Sequence, residues 1–219
     1  MLKFVKRAVV TSALFSVGVV SAGEVIASGG FTVTGTIKPT ACSVVFEGGD
    51  VIDYGNIDQK HLQGTGYYKT SKSDVKPFSV TCNDPANISI KFVDAKADTV
   101  ADVGDEKFGL GVTKDNQKIG YHYFTLKDNK LKVTDDKGDV SDVVYGRSST
   151  NSKEGWEKES THNVIANYYY TPVNKDSLQP VAFTVFKSAV GSHIAIDRSL
   201  EVKDEERLDG YVTMELHYI

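Results

Sequence analysis

The sequence contains few of the features that mark fibrous or nucleic-acid-binding proteins. It has five prolines, and its nineteen glycines follow no fixed period, which excludes a collagen-like or low-complexity chain. The formal net charge of −4, with no basic stripe, makes it a poor ligand for nucleic acid. With 40% hydrophobic and 25% charged residues over 219 positions, the composition is that of one folded domain.

Long hydrophobic runs are equally scarce, and the longest lies at the start of the chain. Residues 1–22 combine a basic start, an apolar run from Ala8 to Val20 and a small-residue ending, which is the pattern of a secretory signal peptide. The run is shorter than the roughly 20 residues that a membrane-spanning helix needs. We therefore predict an exported protein, cleaved after residue 22 or residue 27, with a single domain over residues 23–219.

Cysteine is limited to two residues, Cys42 and Cys82. They form no Cys-x-x-Cys motif, and neither has partner residues at the spacing that a zinc site or a catalytic thiol needs. Because an exported chain folds in an oxidising environment, we predict a disulfide between them. It would close a loop of about 40 residues.

Alternation of apolar and polar residues at a period of two predicts strands along most of the chain. Helical patterns are scarce, and Leu200–Leu208 is the one stretch expected to hold a helical turn or two. The apolar runs are separated by Gly, Asn, Asp and Ser clusters, which is typical of an all-β sandwich. The predicted strands are Phe31–Ile37, Val44–Phe46, Pro77–Cys82, Ile88–Val93, Tyr121–Leu126, Val143–Tyr145, Val164–Tyr170, Val181–Phe186, His193–Ile196 and Tyr211–Ile219.

Charged residues concentrate between Asp94 and Glu159, where positive and negative side chains alternate. We expect this segment to contribute solvent-facing strands and hairpins rather than core. Turns are predicted at Asp115-Asn116, Asp128-Asn129 and Lys137-Gly138.

Sequence motifs for catalysis and metal binding are missing. The five histidines are scattered, and the chain has no nucleophile elbow, zinc motif or EF-hand loop. We therefore expect no enzymatic activity, no catalytic residue, no metal and no cofactor. The aromatic residues Trp156, Tyr168, Tyr169 and Tyr170 are candidates for stacking on a sugar ring, against the alternative that the tyrosines form an ordinary strand.

The end of the sequence carries the most regular alternation. The final strand is expected to run to Ile219, so that no later residue covers its free edge. An uncovered apolar edge in an exported protein invites a strand from a partner. The residues that share one face of this strand are Val212, Met214, Leu216 and Tyr218.

These features together resemble the pilin-like subunits of the chaperone-usher fimbriae of Gram-negative bacteria, and most of all a branch of enterobacterial fimbrial-like secreted proteins. The resemblance covers the layout of most of the exported chain. The residues that carry it are Val33-Thr34-Gly35-Thr36-Ile37 leading into Ala41-Cys42, the segment Tyr54-Gly55-Asn56-Ile57, the second cysteine Cys82, the lead-in Leu208-Asp209-Gly210 and the penultimate aromatic Tyr218.

The resemblance implies an immunoglobulin-like, pilin-type β-sandwich that lacks its last strand and carries extra hairpins. Such a subunit is exported, held in the periplasm by a chaperone and passed through an outer-membrane usher. At assembly, a neighbouring fimbrial subunit donates the missing strand, and the finished fimbrium on the cell surface serves adhesion. A partner strand would lie along the apolar face of the final strand, and Ile219 would supply the carboxylate that the chaperone grips.

The position in a fibre is predicted from the extension before the first predicted strand. This extension, Gly23–Gly30, is short and has no alternating donor motif. We therefore expect a minor, tip or terminating subunit. The alternative function is a secreted carbohydrate-binding, lectin-like adhesin, in which Trp156 and Tyr168–Tyr170 would bind a host glycan.

Overall fold

Two antiparallel β-sheets packed face to face form the body of the protein, as the all-β prediction requires. The computed structural model describes residues 29–36, 40–71 and 75–219. By its internal contacts the chain divides into two units, Met1–Lys38 and Pro39–Ile219, and both sheets belong to the second. The predicted signal peptide, residues 1–22, and both predicted cleavage sites lie outside the described residues.

The described residues contain thirteen strands and three short 3-10 helices, at Gln59–Leu62, Ala97–Thr99 and Asp128–Lys130. The strands are β1 (Cys42–Phe46), β2 (Tyr67–Ser71), β3 (Lys76–Ala86), β4 (Ile88–Asp94), β5 (Phe108–Gly109), β6 (Gly120–Leu126), β7 (Lys132–Asp135), β8 (Gly138–Asp139), β9 (Val143–Ser148), β10 (Glu157–Lys158), β11 (Tyr169–Asn174), β12 (Phe183–Asp197) and β13 (Val212–Tyr218). Sheet A has the order β1-β3-β12-β6-β5, with β2 and β7 also paired to β12 and β8 paired to β7. Sheet B has the order β10-β9-β11-β4-β13.

The longest strand, β12, organises sheet A. It spans 15 residues and pairs with β3, β7, β6 and β2 in turn. Two predicted strands, Val181–Phe186 and His193–Ile196, are therefore parts of one strand that continues through Gly191. The glycine relieves crowding, because a Cβ atom there would lie 2.7 Å from Thr125 Oγ1 on β6.

The main core lies between the sheets and is built from the alternating residues. On β3, the predicted inward face of Phe78, Val80 and Cys82 is buried. Aromatic rings meet edge to face across the core, as between Phe78 and Phe186, whose centroids are 5.8 Å apart. The buried members of this cluster are Phe78, Val80, Cys82, Ile88, Ile90, Phe92, Phe108, Phe124, Leu126, Val133, Tyr145, Val164, Tyr170, Phe183, Phe186 and Val190.

The first predicted strand, Phe31–Ile37, is wrong over its described residues. Residues 31–36 form no strand, and the side chains of Phe31 and Val33 are 101% and 95% exposed. An alternating pattern favours an extended chain, but a strand also needs a neighbour to bond with. We call residues 31–37 the N-terminal segment.

Two further predictions of secondary structure are wrong. Leu200–Leu208 forms no helix; it is an irregular segment whose two leucines pack onto the second cluster, which consists of Leu110, Ile119, Ile194 and Ile196. The strand predicted over Val164–Tyr170 begins only at Tyr169. In both cases tertiary packing overrides a weak local preference.

The charged segment from Asp94 to Glu159 forms the predicted hairpins but also supplies core. The turn near Asn116, where φ is 62°, and the β7–β8 hairpin turn before Gly138 are present. The expectation that the segment contributes no core is wrong. A strand with one charged and one apolar face can expose the charged face to solvent and bury the apolar face in the core. Its buried residues include Phe108, Leu110, Ile119, Phe124, Val133, Tyr145 and Trp156.

A buried carboxylate anchors the loop that follows β10. Glu159 is 3% exposed and accepts hydrogen bonds from the amides of Thr161 (2.6 Å) and His162 (3.0 Å), from the Thr161 hydroxyl (2.7 Å), and from Arg147 Nη1 (3.2 Å). If the loop moved away from Glu159, each of these donors would lose its acceptor, so this side chain fixes the loop.

We expect Glu159→Gln to lower the free energy of unfolding by about 2 kcal/mol, because the substitution turns the ion pair with Arg147 into a contact between two donors. Equilibrium urea denaturation measures the change. The control is Glu154→Gln, at an exposed position in the loop between β9 and β10, which should shift stability by less than about 0.5 kcal/mol. Equal effects of the two substitutions would contradict the anchoring role of Glu159.

Candidate strand-binding groove

The two sheets leave an open cavity along one side, between β13, the edge strand of sheet B, and the chain that follows β1, the edge strand of sheet A. Its volume is about 880 Å³. One half is floored by main-core residues such as Phe92, Phe124 and Val190, and the other half by the second cluster. We call this cavity the groove.

The final strand forms one wall of the groove. Among the described strands, β13 pairs with β4 alone, in antiparallel register from Val212 opposite Asp94 to Tyr218 opposite Ile88. Val212, Met214 and Leu216 are partly buried against the main core, on one face as the alternation predicts. The other edge of β13 therefore carries backbone groups with no strand beside them in the described structure.

Tyr218 and Ile219 lie at the C-terminal end of β13, beyond the residues that line the groove, and we call this the closed end. Tyr218 is 58% exposed, and its hydroxyl donates a hydrogen bond to the carbonyl of Thr40. The Ile219 amide donates to the Asn87 carbonyl at 3.1 Å. Tyr218 thus bridges the end of β13 to Thr40, two residues before β1, rather than packing in the core.

Asn151 clamps this closed end, and no sequence signal pointed to it. Its Nδ2 donates to the Tyr218 carbonyl at 2.5 Å, while its Oδ1 accepts a hydrogen bond from Ser89 Oγ at 2.7 Å. A loop residue after β9 therefore ties the end of β13 to β4.

The opposite wall of the groove is the irregular segment of residues 50–57. Ile52 packs against the main core, and Tyr54 and Ile57 pack against the second cluster. The Tyr54 hydroxyl donates to Ser192 Oγ on β12 at 2.9 Å, which fixes this wall to the floor. Gly55 has φ of 64°, a value that glycine adopts without strain.

His122, on β6, is the one imidazole in the groove lining. Its side chain is 6% exposed, and Nε2 has no hydrogen-bond partner in the described structure. Burial lowers the pKa of His122 to about 4, although the Gly109 carbonyl acts in the opposite direction. Gly210 leaves room for the ring, because a Cβ atom there would lie 3.0 Å from Nε2. The sequence interpretation missed this residue.

The predicted disulfide between Cys42 and Cys82 is confirmed. The two residues lie directly opposite each other in the β1–β3 ladder, with an S–S distance of 2.10 Å. The bond attaches β1, and so the start of the groove wall, to the centre of sheet A.

The four candidate glycan residues do not form a platform. Trp156 is 5% exposed and donates Nε1–H to the Ser152 carbonyl at 2.7 Å. Tyr170 is buried, and its hydroxyl accepts a hydrogen bond from the Ile165 amide at 2.7 Å. Burial raises the pKa of Tyr170. Only Tyr168 and Tyr169 reach the surface, with Tyr169 edge-on to His217 at 5.3 Å.

Neither a metal site nor a membrane-spanning helix is found in the part of the chain that the structure describes. No three His, Cys, Asp or Glu side chains in it are grouped so as to hold a metal ion. None of its helices has the length and apolar composition to cross a membrane.

Comparison with known proteins finds similarity without an assigned activity. A family model described as "Protein of unknown function (DUF1120)" matches residues 31–107, a span that starts with the N-terminal segment. Two proteins of Escherichia coli (strain K12) are similar over nearly their whole length. "Uncharacterized protein YhcF" is 23% identical over 242 aligned positions, covering 98% of this chain and 99% of that protein. "Protein GltF" is 24% identical over 255 positions, covering 99% and 100%. No solved structure matches.

Proposed function

We propose that the protein is a fimbrial subunit or accessory protein, which is completed by a strand from another molecule and contributes to cell adhesion. Its partners would be a periplasmic chaperone, an outer-membrane usher and neighbouring subunits, and its final place the cell surface. The observation that carries the proposal is the free edge of β13 beside an open apolar groove. Strand addition at such an edge gains backbone hydrogen bonds, and the groove gains apolar side chains.

The N-terminal segment has the properties of a donor. Its apolar residues alternate with threonines, and the exposed side chains of Phe31 and Val33 have no partner surface among the described residues. The donor motif that Gly23–Gly30 lacks is thus available in residues 31–37. The expectation of a minor, tip or terminating subunit rested on that short extension and no longer applies, and we propose a subunit that both receives and donates a strand.

The stability of the protein should depend strongly on a partner strand. Covering the three apolar side chains on the core face of β13, at about 1.5 to 3 kcal/mol each, would contribute on the order of 4 to 9 kcal/mol. That is comparable with the whole stability of a small domain. We therefore expect the protein alone to aggregate, and a one-to-one complex to form with a strand-donating chaperone.

A peptide tests the proposal. Denatured exported protein is refolded with or without a peptide of residues 29–38, and the yield of soluble, disulfide-bonded monomer is measured. We expect the peptide to raise the yield about tenfold or more, because it supplies the missing strand. A shuffled peptide of the same composition is the control. A protein that refolds to a cooperatively melting monomer without any peptide would falsify the proposal.

Two substitutions on β13 make the test specific for the groove. Leu216→Asn places an amide on the groove face, so peptide-dependent recovery should fall about tenfold. His217→Asn introduces the same side chain one residue later, on the opposite face, and should leave recovery within about twofold. If both variants behave alike, the strand does not enter along this face.

A further inference from the structure

The rim of the groove is strongly acidic at one end. The residues lining the groove include five carboxylates and two cationic side chains, Lys76 and Arg207. We call the carboxylates the acidic mouth. They are Asp50 and Asp53 on one wall and Asp204, Glu205 and Glu206 on the segment that leads into β13.

Most of the nearby cations are already engaged. Arg207 Nε lies 3.5 Å from Glu205, and Lys203 Nζ lies 3.4 Å from Asp115, outside the mouth. Asp50 and Asp204 are exposed and form no ion pair with any described residue. The mouth therefore keeps a surplus of negative charge on both sides of the groove opening.

The position of the mouth fixes which end of an inserted strand would meet it. Residues 204–206 precede β13 in the chain, so the mouth lies at the Val212 end, opposite the end closed by Tyr218 and Asn151. Every pairing in sheet B is antiparallel. A strand added antiparallel to β13 would therefore bring its C-terminal end to the mouth.

The N-terminal segment fits this geometry in length, face and charge. Residues 31–37 match the seven residues of β13, of which Val212, Thr213 and Met214 line the groove. Antiparallel pairing of Phe31 with Tyr218, which would replace the hydrogen bond from Tyr218 to Thr40, sets Val33 opposite Leu216 and Gly35 opposite Met214. In that register Ile37 lies opposite Val212. The next residue in the sequence is Lys38, which then reaches the acidic mouth.

We propose that the acidic mouth selects and orients the strand that fills the groove, favouring an extended apolar segment that ends in a basic residue, here residues 31–38 of a second copy of the chain. This inference rests on the proposed function, since it concerns the same groove. Charges at the rim of an interface mainly set orientation, association rate and salt dependence. The apolar groove supplies the affinity, and the mouth rejects strands that end in an acidic residue.

The test compares two peptides of residues 29–38, one with the natural sequence and one with Lys38→Glu. Each is labelled at its N-terminus, refolded with the full exported chain, and its dissociation constant is measured by fluorescence anisotropy. We expect the natural peptide to bind about tenfold more tightly at 50 mM salt, and the difference to shrink to about twofold at 0.5 M salt because the exposed charges are screened.

Variants of the protein assign the effect to the mouth. Asp50→Asn with Asp204→Asn removes two carboxylates that have no ion pair, and should reduce the preference for the natural peptide to about threefold or less. Asp136→Asn with Asp176→Asn removes the same charge at exposed positions outside the groove and should keep the preference.

The outcomes separate this inference from the proposed function. Equal binding of the two peptides, or a preference that both double variants reduce equally, overturns selection by the mouth while strand complementation stands. Failure of both peptides to bind overturns both ideas. A preference lost only in the Asp50/Asp204 variant confirms the inference.

Discussion

Replacing both cysteines by alanine should lower the free energy of unfolding by about 4 kcal/mol. The Cys42–Cys82 bond closes a loop with a sequence separation of 40 residues, and in the chain-entropy model a loop of this length restricts the unfolded state by about that amount. Because the native domain is stable by only about 5 to 15 kcal/mol, the loss is a large share of the total. The loss of stability is measured by urea denaturation of protein refolded with the peptide of residues 29–38, at one fixed peptide concentration.

The location of the bond predicts where the damage appears first. Both cysteines lie in the β1–β3 ladder, whose register also pairs Val44 with Val80 and Phe46 with Phe78. Without the bond, β1 keeps its place as an edge strand through this ladder alone. Hydrogen exchange should therefore accelerate in β1 well before it does in β12. Equal acceleration in both strands, or a stability change below about 1 kcal/mol, would contradict this account.

Acidification should destabilise the protein through His122. Its pKa in the folded state is about 4, below the usual value of 6.5. Between these two values the unfolded chain binds a proton and the folded chain does not, so stability is lost as the pH falls from about 6.5 toward 4. At 1.36 kcal/mol per pKa unit, the loss attributable to this side chain approaches about 3 kcal/mol.

The measurement is the urea unfolding free energy at pH 7 and at pH 4.5 for three proteins, each refolded with the peptide of residues 29–38 at one fixed concentration. His122→Phe keeps an aromatic ring beside Phe108 and Phe124 without a titrating group, and should lose about 2 to 3 kcal/mol less than the wild type on acidification. His61→Phe is the control at an exposed position where the ring stacks on Tyr68. It should keep the wild-type response, and an unchanged response in His122→Phe would show that another group is responsible.

Features that depend on local chemistry were predictable from the sequence. Two cysteines in an exported chain predict a bond wherever the strands lie, and the period-two pattern assigns the groove faces of Val212, Met214 and Leu216 without knowledge of their neighbours. The Cys42–Cys82 bond and the shared face of these three residues follow from rules that need only the residue types and their spacing.

Features that depend on distant neighbours were not predictable. Both faces of β6 are rich in aromatics, so the alternation cannot tell that His122 turns inward while Tyr123 faces outward, where it stacks on His193 at 4.6 Å. Trp156 lies among charged residues, and its burial depends on how the loop after β9 folds back. For the segment around Phe31, the alternation predicts an extended chain. It does not indicate whether the strand that pairs with it belongs to the same molecule.

The pairings of strand β12 are expected to limit the rate at which the sandwich folds. It joins residues near the start of the domain to residues near its end, as in the pairing of Tyr67 with Asp197. Pairings between such distant residues are slow to find, since a large loop must close before any contact is gained. During that search the apolar faces of both sheets are exposed to other chains. Under the proposed function, a chaperone would cover these faces during that search.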